Sequence, residues 1–337
     1  MSDRRPETGG DAVAFASRFA DEVLFPSALD TESAGDVPTT SLDALAAAGL
    51  YGMAGPVPAG GLDLDRASGW AVVEALAGGC LATAFVWVQH HGLVRMLASA
   101  APGELRDEWL GPLCRGERRA GLALAGLLPG PARLRATPRD EGWALQGSSP
   151  WVTGWGHVDV LLVAARAPDD MVAWLVVDAV EGGGLTVERQ RLVAVDASAT
   201  VRADFDGLVV PRDRLIAVQP CAEVAGGPAA SLRTNGSLAL GVAGRCCRLM
   251  GPSGLGPELA HCRAALDAAG PEEIADARAA ASELAVRAAS ALVVHEGSSS
   301  VTLGASAQRL AREATFLLVF GSRPAIRAAL LRRLGAG

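Results

Sequence analysis

Two side chains that could contact a flat ligand stand two residues apart at the end of a strand-like segment. The segment reads Trp151-Val152-Thr153-Gly154, and a second apolar run follows from Val158. An indole can cover the face of a ring, and a hydroxyl can donate a hydrogen bond to charge that develops on that ring. The alternative is that Trp151 is a core aromatic residue of a β domain, and the residues alone leave both interpretations open.

Two adjacent histidines, His90 and His91, lie in an apolar helical stretch that runs from Phe85 to Val94. A neutral imidazole on such a helix could hydrogen-bond a substrate hydroxyl. The alternative is a structural histidine whose ring nitrogens are satisfied inside the core.

Several site types are not indicated. The six cysteines form no CxxC pair, and we find no metal-ligand spacing, no phosphate-binding GxGxxG or Walker loop, and no serine or cysteine nucleophile motif. We therefore expect no metal. The formal net charge of −7 gives no support to a nucleic-acid partner.

The N-terminal segment Met1 to Asp11 is polar, and no apolar run reaches the length of about 20 residues that crosses a bilayer. Half of the 337 residues are hydrophobic, which is typical of a globular protein. These features predict a soluble cytoplasmic protein with no membrane partner.

The elements that position these side chains fall into three parts, and the fold class is α+β. Apolar spacing of three and four residues predicts an N-terminal helical domain over residues 1–118. Short runs separated by turn residues predict a central β domain, a small antiparallel barrel or sandwich, over residues 119–222. After Pro211-Arg212-Asp213 the pattern returns to helix, which predicts a C-terminal four-helix bundle over residues 223–337.

Strands are predicted at 121–126, 133–137, 142–146, 158–166, 171–177, 185–193 and 200–209. Helices of the last part are predicted at 229–250, 257–269, 271–294, 305–318 and 324–334.

This order resembles the acyl-CoA dehydrogenase family along nearly the whole chain. The segment Gly147 to Thr153 is similar to the family's G-x-K-x-W-I-T, and Phe205 to Pro211 is similar to its F-x-x-V-x-V-P. The segment Arg309 to Ala314 is similar to its R-x-x-R-D-A. The three motifs occur in the family's order.

The resemblance implies a flavin site. It assigns Trp151 to a wall of the isoalloxazine ring and Thr153 to a hydroxyl that reaches flavin N5. Leu124, in the counterpart of the family's L-T-E-P-x-x-G-S loop (124–130), Ser322, and Gly297, in the counterpart of its Q-x-x-G-G, are the other expected cofactor contacts. The expected cofactor is FAD, with FMN or reduced flavin supplied by a partner as alternatives.

The usual catalytic base is missing. Most family members remove an α-proton with the Glu of Y-E-G-T, and the corresponding segment Phe320-Gly321-Ser322-Arg323 has Gly321 at that position. No Asp or Glu follows Glu313, and none occurs between Glu223 and Glu258, where a minority of members keep the base. In monooxygenases of this fold a His at a similar point of this helix faces the flavin. His91 is the closer match and our candidate for the catalytic group, with His90 as the alternative.

Three functions remain open. The first is α,β-dehydrogenation of an acyl group, carried by CoA or a carrier protein, with a non-standard base. The second is a two-component flavin monooxygenase, which needs no such base. The third is a catalytically inactive binding or scaffold protein. The resemblance also implies a homodimer or homotetramer.

Overall fold

The chain is seen in a computed structural model that describes residues 5–127, 132–225 and 229–336. Its N-terminal part is helical. The helices are α1 (Gly9–Phe19), α2 (Ala28–Ala34), α3 (Thr39–Ala47), α4 (Arg66–Gly79), α5 (Leu81–Gln89), α6 (His91–Ser99) and α7 (Glu104–Cys114).

Helix α5 lies at the centre of the molecule. All residues from Leu81 to Val88 are buried, so this helix is surrounded by protein on every side. It is separated from α4 by Cys80, whose backbone is extended with φ of −144°, and from α6 by His90. The extended backbone at Cys80 ends α4 before α5 begins, whereas His90 keeps helical backbone angles (φ −50°, ψ −40°), so α6 continues from α5.

The middle of the chain forms one eight-stranded sheet. The order is β6-β7-β3-β2-β4-β5-β8, and β1 pairs with β4 off this path. Strand β4 pairs in parallel with β1 and β2, and the other pairings are antiparallel. The strands are β1 (Ala120–Ala123), β2 (Leu134–Arg139), β3 (Gly142–Val152), β4 (Val160–Ala167), β5 (Met171–Asp178), β6 (Leu185–Arg189), β7 (Val201–Pro211) and β8 (Leu215–Pro220).

The seven predicted strands occur where the sequence indicates them, but the predicted return to helix after Asp213 is wrong at this point. Residues 215–220 form β8, which pairs with β5 at the edge of the sheet. A short apolar run such as Leu215 to Val218 carries no period that separates strand from helix, so pairing with β5 decides its structure.

Helices resume with α8 (Cys221–Ala225), and the C-terminal helices follow: α9 (Ala229–Met250), α10 (Leu255–Ala268), α11 (Ile274–Glu296), α12 (Ser306–Val319) and α13 (Pro324–Arg333). One hydrophobic core joins the N-terminal helices to these helices, and a second core fills the β domain. The helices pack closely where α4 meets α9, because a Cβ at Gly241 would lie 2.3 Å from Glu74 O.

Among the described residues, no helix combines the length and the apolar character needed to cross a membrane.

Candidate functional site

Trp151 lies at the end of β3 in an unusual conformation. The pairing of β3 with β7 is irregular between Ser149 and Val152, and Trp151 has a positive φ of 63°. The residue is 55% exposed, and its backbone N–H donates to Gln190 Oε1 at 3.1 Å. A left-handed backbone is uncommon for a bulky residue and marks functional sites when the surroundings hold it. Trp151 is therefore a surface aromatic residue and not part of the β-domain core.

Thr153 follows on the same strand end but is buried, with 2% of its surface exposed. Its Oγ1 lies 3.2 Å from Thr200 Oγ1, and Thr200 Oγ1 lies 2.8 Å from Ser198 Oγ. We call Thr153, Thr200 and Ser198 the hydroxyl chain. Sequence reasoning identified only its first member.

Helices α5 and α6 pack against these strand ends. A Cβ at Gly154 would lie 3.1 Å from Val86 Cγ1 on α5, and a Cβ at Gly92 on α6 would lie 2.7 Å from Leu122 Cδ2 on β1. Leu124 follows β1 and is half-buried in the cluster between α6, α7 and the sheet. The helix that bears His91 and the segments that bear Leu124 and Thr153 therefore meet in one region.

The two histidines differ in their environment. His90 is the structural one: its Nε2 lies 3.1 Å from Leu113 O, and its Nδ1 accepts from the N–H of Ala120 at 3.1 Å. This arrangement places the proton on Nε2. Burial lowers the pKa of His90 to about 3, so its ring is neutral at pH 7.

His91 is fully buried, and neither ring nitrogen has a hydrogen-bond partner among the described residues. Burial lowers its pKa well below 6.5, and the neighbouring His90 adds to the effect. A group whose protonated form is disfavoured is a weak base but remains a good hydrogen-bond donor. The imidazole of His91 is therefore better suited to binding a polar group than to removing a proton.

His91 belongs to a polar stripe along α5 and α6. Thr83, Trp87 and His91 follow one another at four-residue spacing, so they lie on one helical face. All three are buried, and Thr83 Oγ1 and Trp87 Nε1 also have no partner within the described chain. Such orphaned groups are rare in proteins and indicate a missing ligand or water.

The loop after α12 meets α5 through aromatic rings. The rings of Phe316 and Phe320 lie 5.3 and 4.8 Å from the ring of Phe85, and Gly321 and Ser322 follow directly. Gly321 has a φ of +60°. A Cβ there would lie 2.7 Å from the side-chain nitrogen of Asn235 on α9, so an amide occupies the space next to this position.

Ser322 is half-buried, and its N–H donates to Val319 O at 3.2 Å. The end of α12 is also fixed by Arg278 of α11, which is fully buried and donates to Leu317 O at 3.2 Å. Ser282 joins the same group, with its Oγ donating to Leu317 O at 2.8 Å. The loop that bears Gly321 and Ser322 therefore starts from a rigid helix end.

Glu313, the last acidic residue in the sequence, forms an ion pair with Arg309 and does not replace the missing base. It is buried on α12, and Arg309 Nη1 lies 2.6 Å from its Oε1. Burial raises the pKa of Glu313, and the charge of Arg309 opposes that rise. With Cys80 the pair lines a cavity of about 10 Å³, which is room for one water.

No hydrogen bond among the described residues joins Gly297 to this region. It is exposed at the end of α11 with φ of +72°, and its carbonyl accepts from Ser300 Oγ within the same turn. The predicted loop at 124–130 is seen only in part, because residues 128–130 lie outside the described residues.

Besides Thr83 and Trp87, sequence reasoning missed four residues that support or adjoin the site: Gln190, Ser198, Thr200 and Asn235. None has a sequence signal beyond a polar side chain, because each acts through a contact far along the chain. Among the described residues, no group of three His, Cys, Asp or Glu side chains could hold a metal ion.

Comparison with known proteins supports the resemblance to the acyl-CoA dehydrogenase family. Residues 11–117 match the model of the acyl-CoA dehydrogenase N-terminal domain, so this part of the chain is similar to that family. Relatives of the chain include 3-sulfinopropanoyl-CoA desulfinase of Paraburkholderia xenovorans, 26% identical over 57% of the chain and 51% of that protein. Benzylmalonyl-CoA dehydrogenase of Aromatoleum aromaticum is 27% identical over 57% of the chain and 52% of that protein. The chain thus spans about half the length of the curated relatives it matches.

Solved structures show the same fold over the whole chain. Butyryl-CoA dehydrogenase of Megasphaera elsdenii superposes with a TM-score of 0.83 at 18% identity, covering 100% of this chain and 99% of that one. PigA with FAD and proline gives 0.82 at 19%, covering 100% of both chains. The dibenzothiophene monooxygenase TdsC of Paenibacillus sp. A11-2 gives 0.79 at 17%, covering 96% of both. The expected fold, with helical domains flanking a β domain, is confirmed.

Proposed function

We propose that this chain is a flavin-dependent oxidoreductase that binds FAD and acts on an acyl group carried as a thioester by CoA or a carrier protein. The proposal is supported most by the strand end at Trp151 and Thr153. Trp151 is half-exposed there and has a strained backbone conformation. The nearby hydroxyl of Thr153 belongs to the buried hydroxyl chain. Trp87 and His91, whose buried polar atoms have no hydrogen-bond partner among the described residues, suit a ligand at the adjoining helix face.

These residues fit an isoalloxazine ring. Bound FAD would supply an acceptor for two electrons from the substrate. Trp151 would cover one side of the ring and exclude water. Thr153 would donate a hydrogen bond from its hydroxyl to the ring. Leu124 and Ser322, which lie on segments packed near α5 and α6, would also hold the cofactor.

The residues that face the acyl group would bind it and orient it. Thr83, Trp87 and His91 present hydroxyl, indole and imidazole groups along one buried face. His91 would be neutral at pH 7, because burial lowers its pKa, and it would bind a carbonyl or hydroxyl oxygen. For dehydrogenation, His91 would be the group that removes the α-proton, through its neutral ring.

A second candidate function, a two-component monooxygenase, is favoured by the side chains next to Gly321. Asn235 contributes an amide where the dehydrogenases of the resemblance keep a carboxylate, and no α-proton needs to be removed in a monooxygenation. The comparison with a monooxygenase of the same fold agrees with this candidate.

We also propose that the protein is a homo-oligomer that assembles through its C-terminal helices. Val294, Val301 and Leu303 at one end of this part are 81%, 72% and 84% exposed, and exposed apolar side chains of this size favour contact with a partner. Light scattering coupled to gel filtration would measure the mass of the assembly. A monomer at micromolar concentration would contradict this part of the proposal.

The first experiment is the visible absorption spectrum of the protein after incubation with FAD and desalting. Bound flavin with loss of its absorbance on anaerobic addition of an acyl-CoA such as butyryl-CoA would support dehydrogenation. Bound flavin without bleaching, together with oxygen consumption when reduced flavin is supplied, would support the monooxygenase. A protein that binds neither oxidised nor reduced flavin would contradict both and leave the inactive binding protein.

A further inference from the structure

We propose that Thr200 and Ser198 are positioning residues that fix the hydroxyl proton of Thr153 toward the flavin ring. This inference rests on the proposed flavin site and goes beyond it, because it assigns a role to two residues that do not themselves touch the cofactor.

The three hydroxyls form a continuous buried chain. Thr200 Oγ1 lies between Thr153 Oγ1 at 3.2 Å and Ser198 Oγ at 2.8 Å. The exposed fractions of Thr153, Thr200 and Ser198 are 2%, 2% and 0%. Water therefore competes little for these bonds, and each bond polarises the next.

Counting protons gives the chain a direction. Each hydroxyl has one proton, so three protons serve two links and one proton is left for an acceptor at one end. Ser198 Oγ has no acceptor other than Thr200 among the described residues, and it is completely buried. A free proton there would be an unsatisfied buried donor, which is costly. In the proposed flavin site only the Thr153 end of the hydroxyl chain would have an acceptor, so the surplus proton is assigned to Thr153, with Ser198 donating to Thr200 and Thr200 donating to Thr153.

The backbone around this chain is held firmly. The segment from Gln190 to Thr200 contacts the end of β3 at several points: Gly154 N–H donates to Ser198 O at 2.8 Å and Trp155 N–H donates to Ala199 O at 3.2 Å. The Gln190 N–H also donates to Thr200 O at 2.9 Å. These bonds fix the backbone positions of the three residues of the hydroxyl chain.

The same segment carries unusual conformations. Val195 and Ala199 have positive φ values of 53° and 49°, and Trp151 opposite them has 63°. A β-branched residue such as Val195 adopts this region only when the surroundings require it. Such clusters occur where a precise arrangement of side chains is needed, which agrees with a positioning role for Ser198 and Thr200.

The test measures the affinities of the protein for oxidised and reduced FAD under anaerobic conditions. In Thr200→Val the shape is kept and the hydroxyl is lost, so Thr153 no longer has a donor that orients it. The expected result is a loss on the order of fivefold in affinity for reduced FAD relative to oxidised FAD, since one hydrogen bond is weakened. Ser198→Ala should change this ratio in the same direction, and Thr200→Ser should restore it.

Thr137→Val is the matched control, because Thr137 is an exposed threonine on β2 of the same sheet. A purely structural role for Thr200 would lower the melting temperature and both affinities together, without changing their ratio. Equal ratios in the wild type, Thr200→Val and Ser198→Ala would overturn the inference while leaving flavin binding intact. Failure of the wild type to bind FAD in either state would instead overturn the proposed function, and the inference with it.

Discussion

The side-chain nitrogen of Asn235 on α9 would lie 2.7 Å from a Cβ atom added to Gly321, the residue that follows α12 and Phe320. Two helices that are far apart in the chain thus bring an amide and a bare backbone together. Gly321 also has φ of +60°, which glycine adopts freely and other residues do not. Both the backbone conformation at residue 321 and the space around it therefore favour glycine there.

Gly321→Ala is expected to destabilise the fold. The left-handed backbone should cost an L-residue about 1–2 kcal/mol in the free energy of unfolding, and the amide of Asn235 must also move. Gly304→Ala is the control, because a Cβ at Gly304 meets nothing within 4 Å and no positive φ is imposed there. Urea unfolding measures both variants, and equal stabilities would show that the loop at 321 adapts freely.

The buried histidines predict loss of stability in acid. In the folded chain the pKa of His90 is lowered to about 3 and that of His91 lies well below 6.5, the ordinary value for the unfolded chain. Below about pH 6.5 the unfolded state therefore binds more protons than the folded state. Stability should be complete above that pH and fall as the pH is lowered, by up to about 1.4 kcal/mol per pH unit for each histidine.

The His91→Leu variant separates the contribution of His91 to the pH dependence of stability from that of His90. The substitution removes one of the two groups that bind a proton in the unfolded state, so it should flatten the pH dependence. It also removes two buried ring nitrogens that have no hydrogen-bond partner among the described residues, so it should raise stability at pH 7. His295→Leu serves as the control, because His295 is exposed. Urea unfolding at pH 7 and pH 5 is the measurement, and a His91→Leu protein with the wild-type pH dependence would contradict the burial argument.

The sequence predicts elements better than contacts. Residues 229–250 are predicted as a helix from their period and form α9 with those bounds, whereas 215–220 have no period and become β8 by pairing with β5. Adjacent residues such as His90 and His91 lie about 100° apart on a helix, and only packing decides which one is satisfied. The link between Thr153 and Thr200 joins positions 47 residues apart, which no local pattern encodes.

The buried pair of Arg309 and Glu313 predicts a large effect of removing one partner. Their side chains are 2% and 4% exposed. Glu313→Gln should lower the free energy of unfolding by about 3–5 kcal/mol, because Arg309 is left as an uncompensated buried charge. Arg309→Met combined with Glu313→Leu should recover most of that loss. Glu117→Gln, in the exposed pair with Arg115, should have no measurable effect, and a similar loss in both pairs would contradict this reasoning.

Trp151→Gly is expected to separate stability from binding. A glycine adopts the left-handed conformation of residue 151 without strain, and the exposed indole contributes little packing, so the free energy of unfolding should not fall. Trp87→Ala, at a fully buried site, should lower it by about 3–5 kcal/mol. FAD retained after desalting should decrease more than tenfold in Trp151→Gly, and unchanged retention would exclude Trp151 from the flavin site.

Asn235→Asp is expected to give the site the carboxylate it lacks. The substitution leaves the backbone of Gly321 untouched and replaces the amide beside it with a carboxylate of nearly the same shape, which can accept a proton where Asn235 cannot. With FAD bound, the variant should exchange the α-proton of butyryl-CoA for deuterium in heavy water faster than the wild type, because only the variant has a carboxylate at this position. Mass spectrometry of the recovered thioester gives the rate, and Asn235→Ser, which is polar but not a base, is the control. Rapid exchange by the wild type would show that another group, with His91 as the first to be tested, already removes the proton.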